Sequence, residues 1–227
     1  QMLTQLELST RHWARIARKG SWQMVRQNLN TFQRHGVFGV AKEVGLVADK
    51  LRDPERIRKA KAFPYQLMVA AQNLAPEMPM AIRDALHDAM ELAVANVPAV
   101  EGRVVVAPDV SASMTWPITG YQRGKASVVR HVDVAALITA AILRQNRGAR
   151  VMPFDTRVRE AKLEPRDTIL TNAGKLADLA GGGTTVSAPV VKLNEEGAKP
   201  DLVVVVSDNQ SWVDARDGRE GTWLMQA

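Results

Sequence analysis

Cysteine is absent from all 227 residues, which excludes a disulfide framework and a thiolate metal site and fits a reducing compartment. No apolar run reaches the roughly 18 residues needed to cross a bilayer. The first residues also lack the basic start and apolar core of a signal peptide. The expectation is a folded cytoplasmic protein. Its 46% hydrophobic residues are enough to build a core for one large domain or two modest ones.

Acid is missing locally. Between Glu7 and Glu43 there is none, yet the stretch holds Arg11, Arg15, Arg18, Lys19, Arg26, Arg34 and Lys42, with Trp13, Trp22 and Phe32 interleaved. The net charge of +6 is therefore uneven: residues 1–100 carry 14 Lys and Arg against 9 Asp and Glu, and residues 101–227 carry 16 against 15. Such a field attracts polyanions. At helical spacing the aromatics read as core rather than as platforms for stacked bases.

Enzyme signatures are also missing. There is no G-x-S-x-G elbow and no H-E-x-x-H, and Gly120 to Lys125 falls one residue short of a phosphate loop and lacks its hydroxyl. Ser111 and Ser113 have no evident base. The chain is expected not to be an enzyme.

What is present divides at about residue 98. Residues 1–98 have apolar positions at helical intervals. Ser21 is a predicted N-cap followed by one face of Trp22, Val25, Leu29 and Phe32. Asp53-Pro54-Glu55 predicts a helix start, Pro64 opens another helix, and Ile82, Leu86, Met90, Ala93 and Val97 form a long face ended by Pro98. Successive helices of this kind suit HEAT-like stacking. From Arg103 short β-branched runs alternate with helices, the pattern of an α/β, mainly parallel sheet. Strands are predicted at 104–107, 150–154 and 157–162, with a fully buried one at 202–206. Helices are predicted at 132–145, 172–180 and after Ser187.

In such sheets ligands sit at the carboxyl ends of the strands. Asp109-Val110-Ser111-Ala112-Ser113 follows the first strand, placing an acid and two hydroxyls at alternate positions. Thr184 and Thr185 follow a triple glycine, and Asp208 follows the 202–206 strand. A lone D-x-S-x-S reads as an Asx-type turn. Three such loops in order point instead to a divalent metal held only by oxygens, with Asp109 and Asp208 supplying charge and Ser111, Ser113 and Thr184 supplying neutral oxygens. A small hydroxyl-rich cage favours Mg²⁺, with Mn²⁺ and Ca²⁺ as alternatives.

The segments V-V-V-A-P-D-V-S-A-S-M, A-G-G-G-T-T-V-S and V-V-V-V-S-D-N-Q-S-W resemble the metal-ion-dependent adhesion site of von Willebrand A domains, specifically those of the Ro RNA-binding proteins, the TROVE-domain family. S-W-Q-M-V-R-Q-N-L and L-R-D-P-E-R-I-R-K-A-K-A-F-P-Y-Q-L resemble the last helices of that family's HEAT-like ring. The resemblance implies residues 1–98 of a TROVE helical domain and residues 99–227 of an A domain, apparently incomplete at its C-terminus. Pro108 departs from the pattern, since a residue able to donate in the sheet is expected there, and it predicts a shifted entry to the first loop.

The resemblance further implies binding of small noncoding Y-like RNA and of 3′ ends of misfolded RNA, in quality control or processing. Partners would include an exoribonuclease or another protein at the metal site, with no membrane and no DNA specificity. Arg26 and Arg34, then Arg18 and Lys19, are the candidate RNA contacts, and a solvated helix face is the alternative for all of them. Arg56, Arg58, Lys59 and Lys61 are a weaker set. A second reading makes the metal site a module that takes an acidic residue of a protein partner.

Overall fold

In this computed structural model residues 8–118 and 129–209 are described, and the chain forms two compact units, Gln1–Asn96 and Val97–Ala227. The first unit is helical. Helix α1, Thr10–Lys19, buries Trp13, Ala14 and Ala17, positions that share one face at 100° per residue. Its C-terminal carbonyls are satisfied from α4, Ala41–Leu51. The Lys50 ammonium donates to the carbonyls of Ala17 (3.0 Å), Arg18 (2.6 Å) and Gly20 (3.0 Å), a cation where the helix dipole favours one. Burial lowers the Lys50 pKa. Lys50→Met keeps the aliphatic stem and strands those carbonyls, so urea unfolding is expected to show a loss of about 2 kcal/mol. An unchanged midpoint would refute this account of the cap.

Ser21 caps α2, Trp22–Gln27, by accepting the Met24 N–H (3.2 Å). Trp22, Val25, Leu29 and Phe32 are all buried, as expected, but not on one continuous helix: the chain breaks at Asn28 before α3, Leu29–Arg34. The break is local, because the Asn28 side chain donates to the Met24 carbonyl and competes with the backbone. Trp13 and Phe32 meet edge to face, and Trp22 donates its indole N–H to the Leu51 carbonyl (3.0 Å), so all three aromatics are core.

Asp53 caps α5, Pro54–Lys59, by accepting from the Glu55 and Arg56 N–H groups. Helix α6 spans Pro64–Gln72 and α7 spans Met80–Ala93. Helix α7 packs against α4, α5 and α6; Ile82, Leu86, Met90 and Ala93 are its inner side, and Val97 beyond it is also buried.

The second unit is a parallel sheet in the order β2-β1-β3, from β1 (Val104–Pro108), β2 (Arg150–Val151) and β3 (Leu202–Val206). Val105 packs with Met152, Leu193 and Val203, and Ala107 with Phe154, Val186 and Val205, on the face that carries α10, Ala188–Glu195. Helix α8, His131–Gln145, packs against β1 and against α9, Ile169–Ala177.

Four expectations need correction. Strand β2 ends at Val151 rather than at the predicted Phe154, beyond which only the Met152 and Phe154 N–H groups still reach β1 and Phe154 keeps isolated bridges. Residues 157–162 are not a strand among the described residues. After Phe154 the chain doubles back, with the Asp155 carboxylate accepting from the Arg157 N–H (3.1 Å) and the Arg159 guanidinium (2.8 Å), and only Phe154 and Val158 form a bridge. Strand β3 is half-buried rather than fully buried, with Leu202 37% exposed, because it is an edge among the described strands. Helix α9 starts three residues before the predicted 172, because the Thr168 hydroxyl caps it by accepting the Thr171 N–H.

Candidate functional site

The first and third predicted loops leave the carboxyl ends of β1 and β3, and the second, between α9 and α10, lies against the first. Pro108 does not shift the first one. It pairs with Val206 in register, its carbonyl accepts the Phe154 N–H (3.0 Å), and the Asp109 N–H continues the ladder to the Val206 carbonyl (2.9 Å). A proline is tolerated there because only one rung at the strand's end is lost. Val110 and Met114 then anchor the loop in a buried cluster with Val132 and Ala135 of α8.

Asp109 has no exposed surface. Its Oδ1 accepts the Ser111 N–H (2.8 Å), so the Asx-type turn is formed, and its Oδ2 accepts the Ser207 hydroxyl (2.7 Å). The Ser111 and Ser113 hydroxyls lie 3.1 Å apart. The second loop is tied to the first through backbone: the Ala112 N–H donates to the Gly182 carbonyl (3.0 Å) and the Gly181 N–H to the Val110 carbonyl (2.8 Å). Thr184 in that loop is buried. Asp208 is half-buried, close enough that its charge acts on Asp109. Asn209, with φ of 62°, turns the third loop in the left-handed region that asparagine tolerates. Gln210 to Trp212 of the third motif lie outside the described residues, as does the 120–125 near-match to a phosphate loop.

Two residues of this end were not picked out from the sequence. Ser207 was legible in the register: if Pro108 opposes Val206, Ser207 opposes Asp109. Asp155, 3% exposed and paired with Arg159, lies behind the second loop. Gly182, with φ of 78°, passes so close that a Cβ there would meet the Asp155 carboxylate at 2.9 Å. Glycine at 182 is thus required twice, by φ and by space.

Electrostatically the site asks for a cation. Burial raises the Asp109 pKa, the Asp208 charge raises it further, and hydrogen bonds from Ser111 and Ser207 oppose both. None of these groups is cationic. A buried carboxylate beside a second one, with hydroxyls converging on it, suits a hard divalent ion that accepts oxygen ligands. Asp109, Ser111, Ser113, Thr184 and Asp208 are the residues that could hold it. Histidine takes no part, and no cluster of three or more His, Cys, Asp or Glu occurs among the described residues.

The basic residues belong to the helical unit and are not part of this site. Arg18 is engaged by the buried Glu43 through two hydrogen bonds, Nε to Oε2 at 2.8 Å and Nη2 to Oε1, which lower the Glu43 pKa. Arg26 is half-buried, donates to the Gln66 carbonyl (2.9 Å) and lies 5.9 Å from the Trp22 ring centre. Arg34 and Lys19 are exposed. In the weaker set, Arg56 pairs with Asp53 and Arg58 with Glu55.

Comparison with known proteins agrees with this architecture. The family model described as the Ro60 vWA domain matches residues 103–220, from the residue before β1. The RNA-binding protein RO60 of Deinococcus radiodurans is 28% identical over 198 residues, which are 82% of this chain and 36% of that protein. The crystal structure of the Deinococcus radiodurans RO (RSR) protein resembles this one with a TM-score of 0.57 at 24% identity, over 89% of this chain and 39% of the other. That likeness shows a shared fold, a helical segment followed by an A-type domain. The chain therefore spans somewhat more than a third of the relatives it matches. Because the family match covers just over half of its residues, the chain belongs to the Ro60 vWA domain family.

Proposed function

We propose that this chain is part of a cytoplasmic RNA-binding protein of the Ro type, taking small noncoding Y-like RNA and the 3′ ends of misfolded RNA in quality control or processing. The observation that carries the reading is the similarity, over 82% of this chain, to a protein described as RNA-binding. The acid-free basic stretch supplies a physical counterpart, since lysines and arginines neutralise phosphates and release counterions. The A-type unit contributes a divalent-metal site, with Mg²⁺ favoured. Bound there, the ion would supply a Lewis-acidic position for an oxygen ligand of a partner, an exoribonuclease or another protein.

Fluorescence anisotropy tests the RNA reading. The protein is expected to bind a structured RNA with a single-stranded 3′ tail more tightly than blunt duplex DNA, with affinity falling steeply as salt rises. Equal weak binding to both, or none, would overturn it.

One observation favours the second reading, a protein-recognition module. Trp116 is 70% exposed three residues after Ser113, and its position is fixed by two backbone hydrogen bonds, from its N–H to the Ser113 carbonyl and from the His131 N–H to its own carbonyl. An exposed tryptophan on a fixed stretch of backbone beside a metal site is the kind of anchor around which protein interfaces concentrate their affinity. The two readings concern different units of the chain and are compatible.

A further inference from the structure

Helix α1 presents an outer face made only of basic residues. At 100° per residue the buried Trp13, Ala14 and Ala17 define the inner side, and the opposite arc of about 120° holds Arg11, His12, Arg15, Arg18 and Lys19 and nothing else. All five are exposed, and together they line one shallow depression of about 660 Å³. Arg18 alone of them is ion-paired among the described residues, with Glu43. A helix face that need only be soluble alternates its charges, so that residues three and four apart attract. Here Arg11 faces Arg15, and Arg15 faces both Arg18 and Lys19, all of like sign. Arg11 also stands in the first turn, where a cation opposes the helix dipole. A ligand carrying several closely spaced negative charges would relieve this repulsion.

We infer that the outer face of α1 binds the phosphate backbone of RNA through Arg11, Arg15 and Lys19. The inference rests on the RNA-binding reading above and assigns that reading a surface. Arg11 and Lys19 are eight residues apart, about 12 Å along the axis, enough for roughly three phosphates of one strand. The contact reads no bases. Trp13, Trp22, Phe32 and Phe38, the aromatics of this stretch, are buried and cannot stack on them. Arg26 is left out because it is committed to Gln66 and Trp22.

The test uses the full-length protein and a fluorescein-labelled hairpin RNA with a single-stranded 3′ tail, titrated from low to high salt. The variant Arg11→Gln, Arg15→Gln, Lys19→Gln is compared with Arg56→Gln, Arg58→Gln, Lys59→Gln, which removes equal charge from α5. The inner face is untouched by either, and circular dichroism with the melting temperature checks that both fold. The α1 variant is expected to lose at least tenfold in affinity at low salt. Its log-log salt slope should be shallower by about 2, from 0.7 for each of three phosphate contacts. The α5 variant should match the unmodified protein, and exchanging the tail's bases should change nothing. If the unmodified protein binds while the α1 variant keeps its slope and affinity, or the α5 variant loses as much, the assignment to α1 is overturned. If the unmodified protein binds no RNA, the Ro-type reading fails first and this inference fails with it.

Discussion

Asp109→Ala is expected to abolish the thermal stabilisation that Mg²⁺ would give the protein at the proposed site. A ligand present at a hundred times its Kd stabilises the state that binds it by about 2.7 kcal/mol, which for a unit of this size raises the melting temperature by roughly 5–10 °C. The unmodified protein should show such a rise between EDTA and saturating Mg²⁺, and the variant none. Asp109 is singled out because its carboxylate is fully buried, touches the other loops through Ser111 and Ser207, and has Asp208 as its charged neighbour. Without the ion, the variant should melt no lower than the parent by any large margin, since a buried carboxylate without a cation is a cost. A Mg²⁺-dependent rise that survives in the variant would remove Asp109 from the ligand set.

The same residue sets a pH dependence. Burial first, then the Asp208 charge, hold the Asp109 carboxyl above its ordinary pKa of about 4. Between the ordinary and the raised value the folded state binds more protons than the unfolded one. In EDTA, stability from this group therefore declines as pH rises through that window. Mg²⁺ at the proposed site would require the carboxylate, so its stabilisation should grow over the same window. Parallel melting curves against pH, with and without the ion, would separate these opposite slopes.

Phe154→Ala should cost about 3–5 kcal/mol in urea unfolding, because a fully buried ring would be replaced by a cavity. The ring packs with Ala107, Val186 and Val205, joining β1, β3 and the segment that follows Thr184 and Thr185. Its backbone also braces the first loop, donating to the Pro108 carbonyl and accepting from the Val110 N–H (2.8 Å). Phe154→Leu, which refills most of the volume, should recover much of the loss. A cost below about 1 kcal/mol for alanine would mean that the strands close over the gap.

What could be read from the sequence follows how local each cause is. The helix start at Asp53-Pro54-Glu55 was legible because its cap, proline and acid lie within three residues. Asp109, Ser111 and Ser113 stood out by alternation, and Thr184 and Asp208 by their places after a glycine turn and a strand. The 157–162 segment was misread because its residues favour a strand, whereas the Asp155 side chain, buried by tertiary packing, fastens a reversal. The exposure of β3 depends on which strands flank it, and composition does not report neighbours. The roles of Arg18 and Arg26 were hidden for the same reason, since their partners Glu43 and Gln66 stand 25 and 40 residues away.

Two ties between the first and second loops run from backbone to backbone, as does the bond from the Asp109 N–H to the Val206 carbonyl, whereas the Ser207 hydroxyl reaches the Asp109 carboxylate through a side chain. Proline at Ala112 or Gly181 apart, no exchange of side chains at Val110, Ala112, Gly181 or Gly182 deletes the backbone ties unless it bends the chain, but a single change at Ser207 deletes the side-chain one. Mutational drift would therefore wear this site unevenly, taking the hydroxyl from Asp109 before the backbone ties between the loops. Homologues in which this end of the sheet has loosened should show it first at position 207, with the serines of the first loop still in place.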